Sequence, residues 1–219
     1  LIASFALIFL FPLIIKSRGR FLSPVRSMIE IILIFIRDEI VLPNLGARGG
    51  AYLHYFVTLF FFILIMNLLG FIPFGSTATA NIAVTLGLAF TTFALVNFAW
   101  IKEQGPISYL KRLVPSGVPV WLYPILFPIE LIGMFTKTFA LAIRLFANML
   151  AGHIIILVFI SFIFIFGSIN FYLGLFVTAP VSVLLVIFIS LLELFVAFLQ
   201  AYVFTFLTAI FTGAAMHPH

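Results

Sequence analysis

Apolar residues in this chain come in long runs rather than in the short alternations of a half-exposed sheet. The first run covers residues 1–15 and stops at Lys16, Arg18 and Arg20. A crossing helix needs about 20 residues, so this run reads as the inner half of a longer helix that opens before Leu1. No signal peptide is read from it. Over residues 27–42 apolar positions alternate at helical spacing with Glu30, Arg37, Asp38 and Glu39. That segment is too charged to cross and predicts an interfacial amphipathic helix. The longest uncharged stretch, residues 49–101, is broken by Gly70-Phe71-Ile72-Pro73-Phe74-Gly75 and the small polar run from Ser76 to Asn81. A helical hairpin over residues 52–101 follows. A connection with Lys102, Glu103, Lys111 and Arg112 leads through Pro115, Pro119, Pro124 and Pro128 into the last two apolar regions, 118–166 and 171–215.

The pattern predicts an all-α polytopic membrane protein, residues 1–219 forming one membrane domain of about five crossing helices plus the interfacial one. If fully helical, the last two regions would measure roughly 73 Å and 67 Å at 1.5 Å per residue, against a hydrocarbon core of about 30 Å. Breaks at the prolines, Pro180 included, are expected to absorb part of the excess. The remainder implies two strongly tilted helices lying antiparallel.

Composition agrees: 65% of the 219 residues are hydrophobic and 8% charged, where soluble domains carry about 25% charged residues. The absence of cysteine excludes disulfides, thiolate metal sites and cysteine nucleophiles. The net charge of +5 does not indicate nucleic acid, because no soluble module interleaves aromatic with basic residues. It marks topology. Nine of the eleven basic residues (16, 18, 20, 26, 37, 48, 102, 111, 112) fall in the connections on one side, and the opposite connections at 70–80 and 167–170 have none. The positive-inside rule then puts the N-terminus outside and the C-terminal His217-Pro218-His219 in the cytoplasm. No internal repeat supports an inverted-repeat transporter.

Beyond Arg112 the chain holds four residues of the Asp, Glu, Lys and Arg types: Glu130, Lys137, Arg144 and Glu193. A charge near the centre of a crossing helix costs about 2.5–3.5 kcal/mol on insertion scales and usually faces a protein interior or a watery path. Glu130 and Lys137 lie toward the inner end, where snorkelling or headgroup pairing explains them as well as function does. Arg144 lies deeper and keeps its charge at any working pH. The seven-residue spacing of Glu130, Lys137 and Arg144 sets them on one stripe, and Ala140, Ala147, Asn148 and Ala151 on nearby faces allow close approach of another helix. His153 is about 13 Å outside Arg144, and Glu193, on the antiparallel helix, about 10 Å outside Gln200. If Gln200 faces Arg144, His153 and Glu193 share a depth, either as a proton relay or as a static buried pair.

The stretch Ala142-Ile143-Arg144-Leu145-Phe146-Ala147-Asn148-Met149-Leu150-Ala151-Gly152-His153, with Glu193-Leu194 and Leu199-Gln200-Ala201-Tyr202-Val203-Phe204 beyond it, resembles subunit a of the F-type rotary ATP synthases. Asn67-Leu68-Leu69-Gly70-Phe71-Ile72-Pro73 and the run from Thr77 to Asn81 are similar to that family's outer hairpin. The likeness covers nearly the whole chain and is nearer to bacterial and mitochondrial forms than to chloroplast ones. It implies a proton-translocating stator beside a ring of c subunits, held by b-type peripheral stalk subunits within the rest of the complex, in a bacterial inner membrane or, as a second choice, the mitochondrial one. It also implies Arg144 as the stator arginine, Asn148 and Gln200 as its polar neighbours, and His153 with Glu193 as the outer proton-access pair. Glu130 and Lys137 match positions on a cytoplasmic-side path. No residue is implied to be catalytic, and no cofactor, metal or nucleic acid is implied. The chain has no G-x-x-x-x-G-K-[ST] phosphate loop, so nucleotide chemistry would belong to other subunits. Two further readings are a stand-alone proton channel or secondary transporter using the same charges, and a structural assembly subunit whose charges fix helix register.

Overall fold

The structure, a computed structural model, describes residues 4, 23–46, 49–71, 81–105 and 120–216. Among them there is no strand, and the protein is all-α. The expected first run, 1–15, lies outside the described residues apart from helical Ser4. In chain order come α1 (Ser23–Phe35), a π-helical segment (Ile36–Val41), α2 (Leu42–Leu45), α3 (Gly49–Leu69), α4 (Ile82–Gln104), a 3-10 turn (Val120–Leu122), α5 (Tyr123–Ile169), α6 (Phe171–Leu173), a second π-helical segment (Gly174–Thr178) and α7 (Ala179–Met216). Three described stretches are long and apolar enough to cross a membrane, Gly49–Leu69, Phe135–Ile169 and Phe171–Ala214; the apolar part of α4, Ile82–Phe98, is shorter.

The segment expected to lie on the surface over 27–42 is longer and less superficial than its charges imply. A π turn adds a residue to the helical repeat, and the 36, 40, 41, 45 spacing then puts Ile36, Ile40, Val41 and Leu45 on one fully buried face against α3 and α7. Met28, Ile31 and Ile34 stay exposed, as do Arg26 and Glu30. Arg37 Nε donates to Asp38 Oδ1 at 2.7 Å, and this bond, with the adjacent charge, holds the guanidinium above its ordinary pKa.

The main core surrounds α3, which is apolar on all sides: Phe56, Leu59, Phe60, Ile63 and Leu64 are buried with Leu141 and Leu145 of α5 and Ala201, Phe204 and Ala209 of α7. α4 packs on α5 and α7. Its start is fixed by Asn81, whose extended backbone and side-chain oxygen, accepting from the Ala83 N–H at 2.9 Å, form an N-cap.

Prolines do less to the long helices than the sequence leads one to expect. α5 continues through Pro128 for 47 residues, about 70 Å. The bond that Pro128 cannot make would reach residue 124, in the first turn of the helix, where its loss disturbs little of the ladder. Pro180 is the second residue of α7, and the bond it cannot make would reach residue 176 inside the second π-helical segment, where the four-residue ladder is already interrupted. The reversal between α5 and α6 takes one residue. Asn170 has an extended backbone, donates its N–H to the Phe166 carbonyl at 3.0 Å and accepts from the Tyr172 N–H on its side chain at 3.0 Å. A Cβ on Gly174 would fall on the backbone of Gly167, so this close return needs glycine.

Candidate functional site

Helical periodicity divides α5 into two faces. Leu141, Ala142, Leu145 and Met149 are buried, whereas Ile143, Arg144, Ala147, Leu150 and Ala151 are exposed and Asn148 is half-buried. Arg144 therefore carries its guanidinium on the open side of a helix long and apolar enough to cross a membrane, and among the described residues no side chain bonds or pairs with it. Lys137 is also exposed; Glu130 lies on α5 two turns earlier, its side chain outside the description. On α7 the buried stripe runs through Glu193, Ala197, Gln200, Ala201 and Phe204, with Glu193 and Gln200 each 7% exposed. Gln200 thus faces inward, and among the described residues neither it nor Asn148 is hydrogen bonded to Arg144.

His153 and Glu193 do meet. Nδ1 of His153 stands 3.3 Å from Glu193 Oε1, and also 2.9 Å from the carbonyl of Met149. Nε2, on the other side of the ring, stands 3.3 Å from the carbonyl of Gly70 at the end of α3. A carbonyl only accepts, so the two backbone bonds exist together only in the doubly protonated imidazolium; a neutral ring makes one of them. Nδ1 thus faces two acceptors, the Met149 carbonyl and Glu193 Oε1, and Oε1 has no well-aligned hydrogen bond of its own. A proton on Nδ1 has the carboxylate as its second acceptor when the imidazole turns toward it. The carboxylate fits because residue 152 is glycine: a Cβ there would stand 2.5 Å from Oε1 and 2.7 Å from Cδ of Glu193.

One contributor escaped the sequence argument. Asn67, 2% exposed, donates its Nδ2 to the Ala197 carbonyl of α7 at 3.2 Å. A lone amide in an otherwise apolar crossing helix must find a partner or lose several kcal/mol, roughly 2–7 by transfer data, and that was the available signal. Asn67 is one turn from Gly70, so the end of α3 touches both long helices: α7 through a side chain, and His153 of α5 through a backbone oxygen. Among the described residues no group of three or more His, Asp or Glu side chains is placed to hold a metal ion.

Residues 1–213 match the family model described as ATP synthase A chain. Over 197 residues the chain is 48% identical to ATP synthase subunit a of Myxococcus xanthus, covering 88% of this chain and 62% of that protein. Over 191 residues it is 51% identical to ATP synthase subunit a 2 of Chlorobaculum tepidum, covering 87% and 52%. The corresponding subunit of Anaeromyxobacter dehalogenans is 46% identical over 197 residues, covering 88% and 49%. The chain thus spans about half to three fifths of the length of these relatives, which are named as subunits of an enzyme complex rather than as enzymes in their own right. On a match running from its first residue to residue 213, the chain belongs to the ATP synthase A chain family.

Proposed function

We propose that this chain is the proton-translocating stator of a rotary ATP synthase, and the observation that carries the reading is Arg144. A permanent cation on the outward face of a membrane helix, flanked by the small side chains of Ala147 and Ala151, calls for an anion approaching through the membrane. The carboxylate of a c subunit, brought past by rotation of its ring, supplies one. A proton crossing about 100 mV releases roughly 2.3 kcal/mol, which an uninterrupted pore would dissipate without work. Two offset half-channels separated by Arg144 prevent that. The outer one runs through His153 and Glu193 and protonates a rotor carboxylate, which then enters lipid as a neutral acid because the ionised form would bear the desolvation cost. After nearly a full turn the acid releases its proton to the inner half-channel, beside Glu130 and Lys137, and passes Arg144 as an anion. Asn148 and Gln200 are polar neighbours of that passage.

On this reading five helices cross a bacterial inner membrane with the N-terminus outside, and the partners are the c-ring, b-type stalk subunits and the catalytic head. Arg144→Ala in the assembled complex should abolish ATP-driven proton pumping while the complex remains intact on gentle detergent extraction. Parental coupled pumping by that variant would remove the proposal. Cysteines placed at Ser168 and Ser108 test the orientation: the first should label from outside and the second from the cytoplasm only.

A further inference from the structure

The last turn of α3 adds something to the paired His153 and Glu193 that neither long helix supplies. Asn67 and Gly70 are three residues apart, and from that single turn one group reaches each of the two helices that carry the pair. The Asn67 amide holds the Ala197 carbonyl at 3.2 Å, and Ala197 is one helical turn from Glu193. The Gly70 carbonyl faces Nε2 of His153 at 3.3 Å. Carbonyl oxygens at a helix C-terminus carry the negative end of the helix dipole, so this turn presents a fixed acceptor to an imidazolium and fixes the axial position of the carboxylate beside it. The other titratable groups on the packed elements are remote. Arg144 and Tyr202 lie nine residues inward on α5 and α7, about 13 Å away; His54 and Tyr55 lie at the opposite end of α3, as Lys102 and Glu103 do on α4.

We infer that the end of α3 is the third wall of the His153–Glu193 site and that Asn67 is a positioning residue, setting Glu193 at the depth where it exchanges a proton with His153. The reason lies in the geometry of α7. Glu193 projects from a largely apolar helix surface, and its Oε1 has no side-chain hydrogen bond to hold it. The Asn67 bond is a polar side-chain link between α3 and α7 that resists an axial slide of α7. A one-residue slip moves a side chain by about 1.5 Å along the axis, enough to replace a 3.3 Å contact by one that carries no proton.

This inference rests on the relay role proposed for His153 and Glu193, and the test separates the two. The complex containing this chain is reconstituted in vesicles, and ATP synthesis driven by an imposed proton gradient is followed as the pH on the outer side is varied. Asn67→Leu keeps the volume and removes the donor. The pH of half-maximal rate should shift by about one unit, a tenfold change in proton affinity, and Asn67→Gln, which keeps an amide donor, should move it back toward the parent. A lower rate with an unshifted profile, or no change at all, would overturn the inference and leave Asn67 a simple structural contact. Should Asn67→Leu fail to assemble, Asn67→Ser, whose hydroxyl is too short to reach Ala197, is expected to give the same shift, and an unshifted profile there overturns the inference as well. Glu193→Gln is the separate control. Parental transport by that variant would sink the relay itself, whereas impaired transport beside unshifted Asn67 variants would sink only the role given to Asn67.

Discussion

The two ends of the long helix pair are built by different rules. In the half that packs on the rest of the fold, taken as the inner one, Leu141, Leu145 and Met149 of α5 and Ala197, Ala201, Phe204 and Ala209 of α7 are buried against α3, α4 and the segment around Ile36 and Ile40. Before residue 141, α5 has no buried position among the described residues. Between residues 154 and 192 the buried positions are Gly174 and Ser182, while Phe164, Phe176, Leu184 and many other large apolar side chains are exposed. In water the outer half would collapse. In lipid no hydrophobic force acts between helices, so association depends on close packing and polar contacts, and an apolar face needs no protein cover. The inner half is held by interlocking volume; the outer half is held by geometry at its turn. His153 and Glu193 sit at the border, where α3 ends and the helix pair continues alone.

This contrast can be broken experimentally, and the largest effect is expected at the border. Gly152→Ala puts a methyl group where the Glu193 carboxylate lies; misplacement of about 1 Å can cost about a hundredfold in rate, so gradient-driven ATP synthesis should fall by about that factor in an assembled complex. A parental rate would mean that the carboxylate is free to sit elsewhere. Next comes the inner core. Phe56→Ala empties a fully buried site and should cost about 2 kcal/mol, below the soluble-core range because lipid removes part of the transfer contribution. Chemical denaturation of the purified subunit in mixed micelles would read it. Gly174→Ala, which drives a Cβ onto the Gly167 backbone, should cost about 1–2 kcal/mol of overpacking strain and speed amide exchange on either side of Asn170. Exchange unchanged there would show that the turn is not what holds the outer half. Smallest is Phe164→Ala, at a side chain 73% exposed, expected to stay within about 0.5 kcal/mol in the same denaturation. A loss comparable to that of Phe56→Ala would erase the distinction between the halves.

What could be read from the sequence follows the same line. The all-α class was legible because it depends on local apolar runs, and the described residues of the stretches 52–101, 118–166 and 171–215 are almost entirely helical. The common depth of His153 and Glu193 was reached from an antiparallel pair, a fixed rise per residue and the premise that Gln200 faces Arg144. The inward turn of Ile36 and Ile40 was not, since the π turn that rotates them leaves no periodic trace. Nor was the continuity through Pro128, which depends on how near the helix start it lies. The contacts of Asn67 and Gly70 escaped because they join helices more than eighty residues apart in sequence, and single-chain periodicity holds no information about which faces meet. Gln200 was set against Arg144 as a premise and by the family resemblance, and α7 turns its side chain inward.

The one-residue turn at Asn170 bears on how the protein is made. Nothing in that connection is charged, and its polar groups are occupied by the ends of the helices themselves: the Asn170 side chain caps the following helix, and its carbonyl accepts from the Gly174 N–H at 2.9 Å. An insertion machinery therefore meets no hydrophilic loop that must be threaded across ahead of the second helix. With so short a link, neither helix of the hairpin can wait in the bilayer at an arbitrary distance from the other, and the two must partition together as one folded unit. Biogenesis of this region then has the character of a single concerted insertion, and a stretch of flexible residues added after Asn170 would turn it into two independent ones.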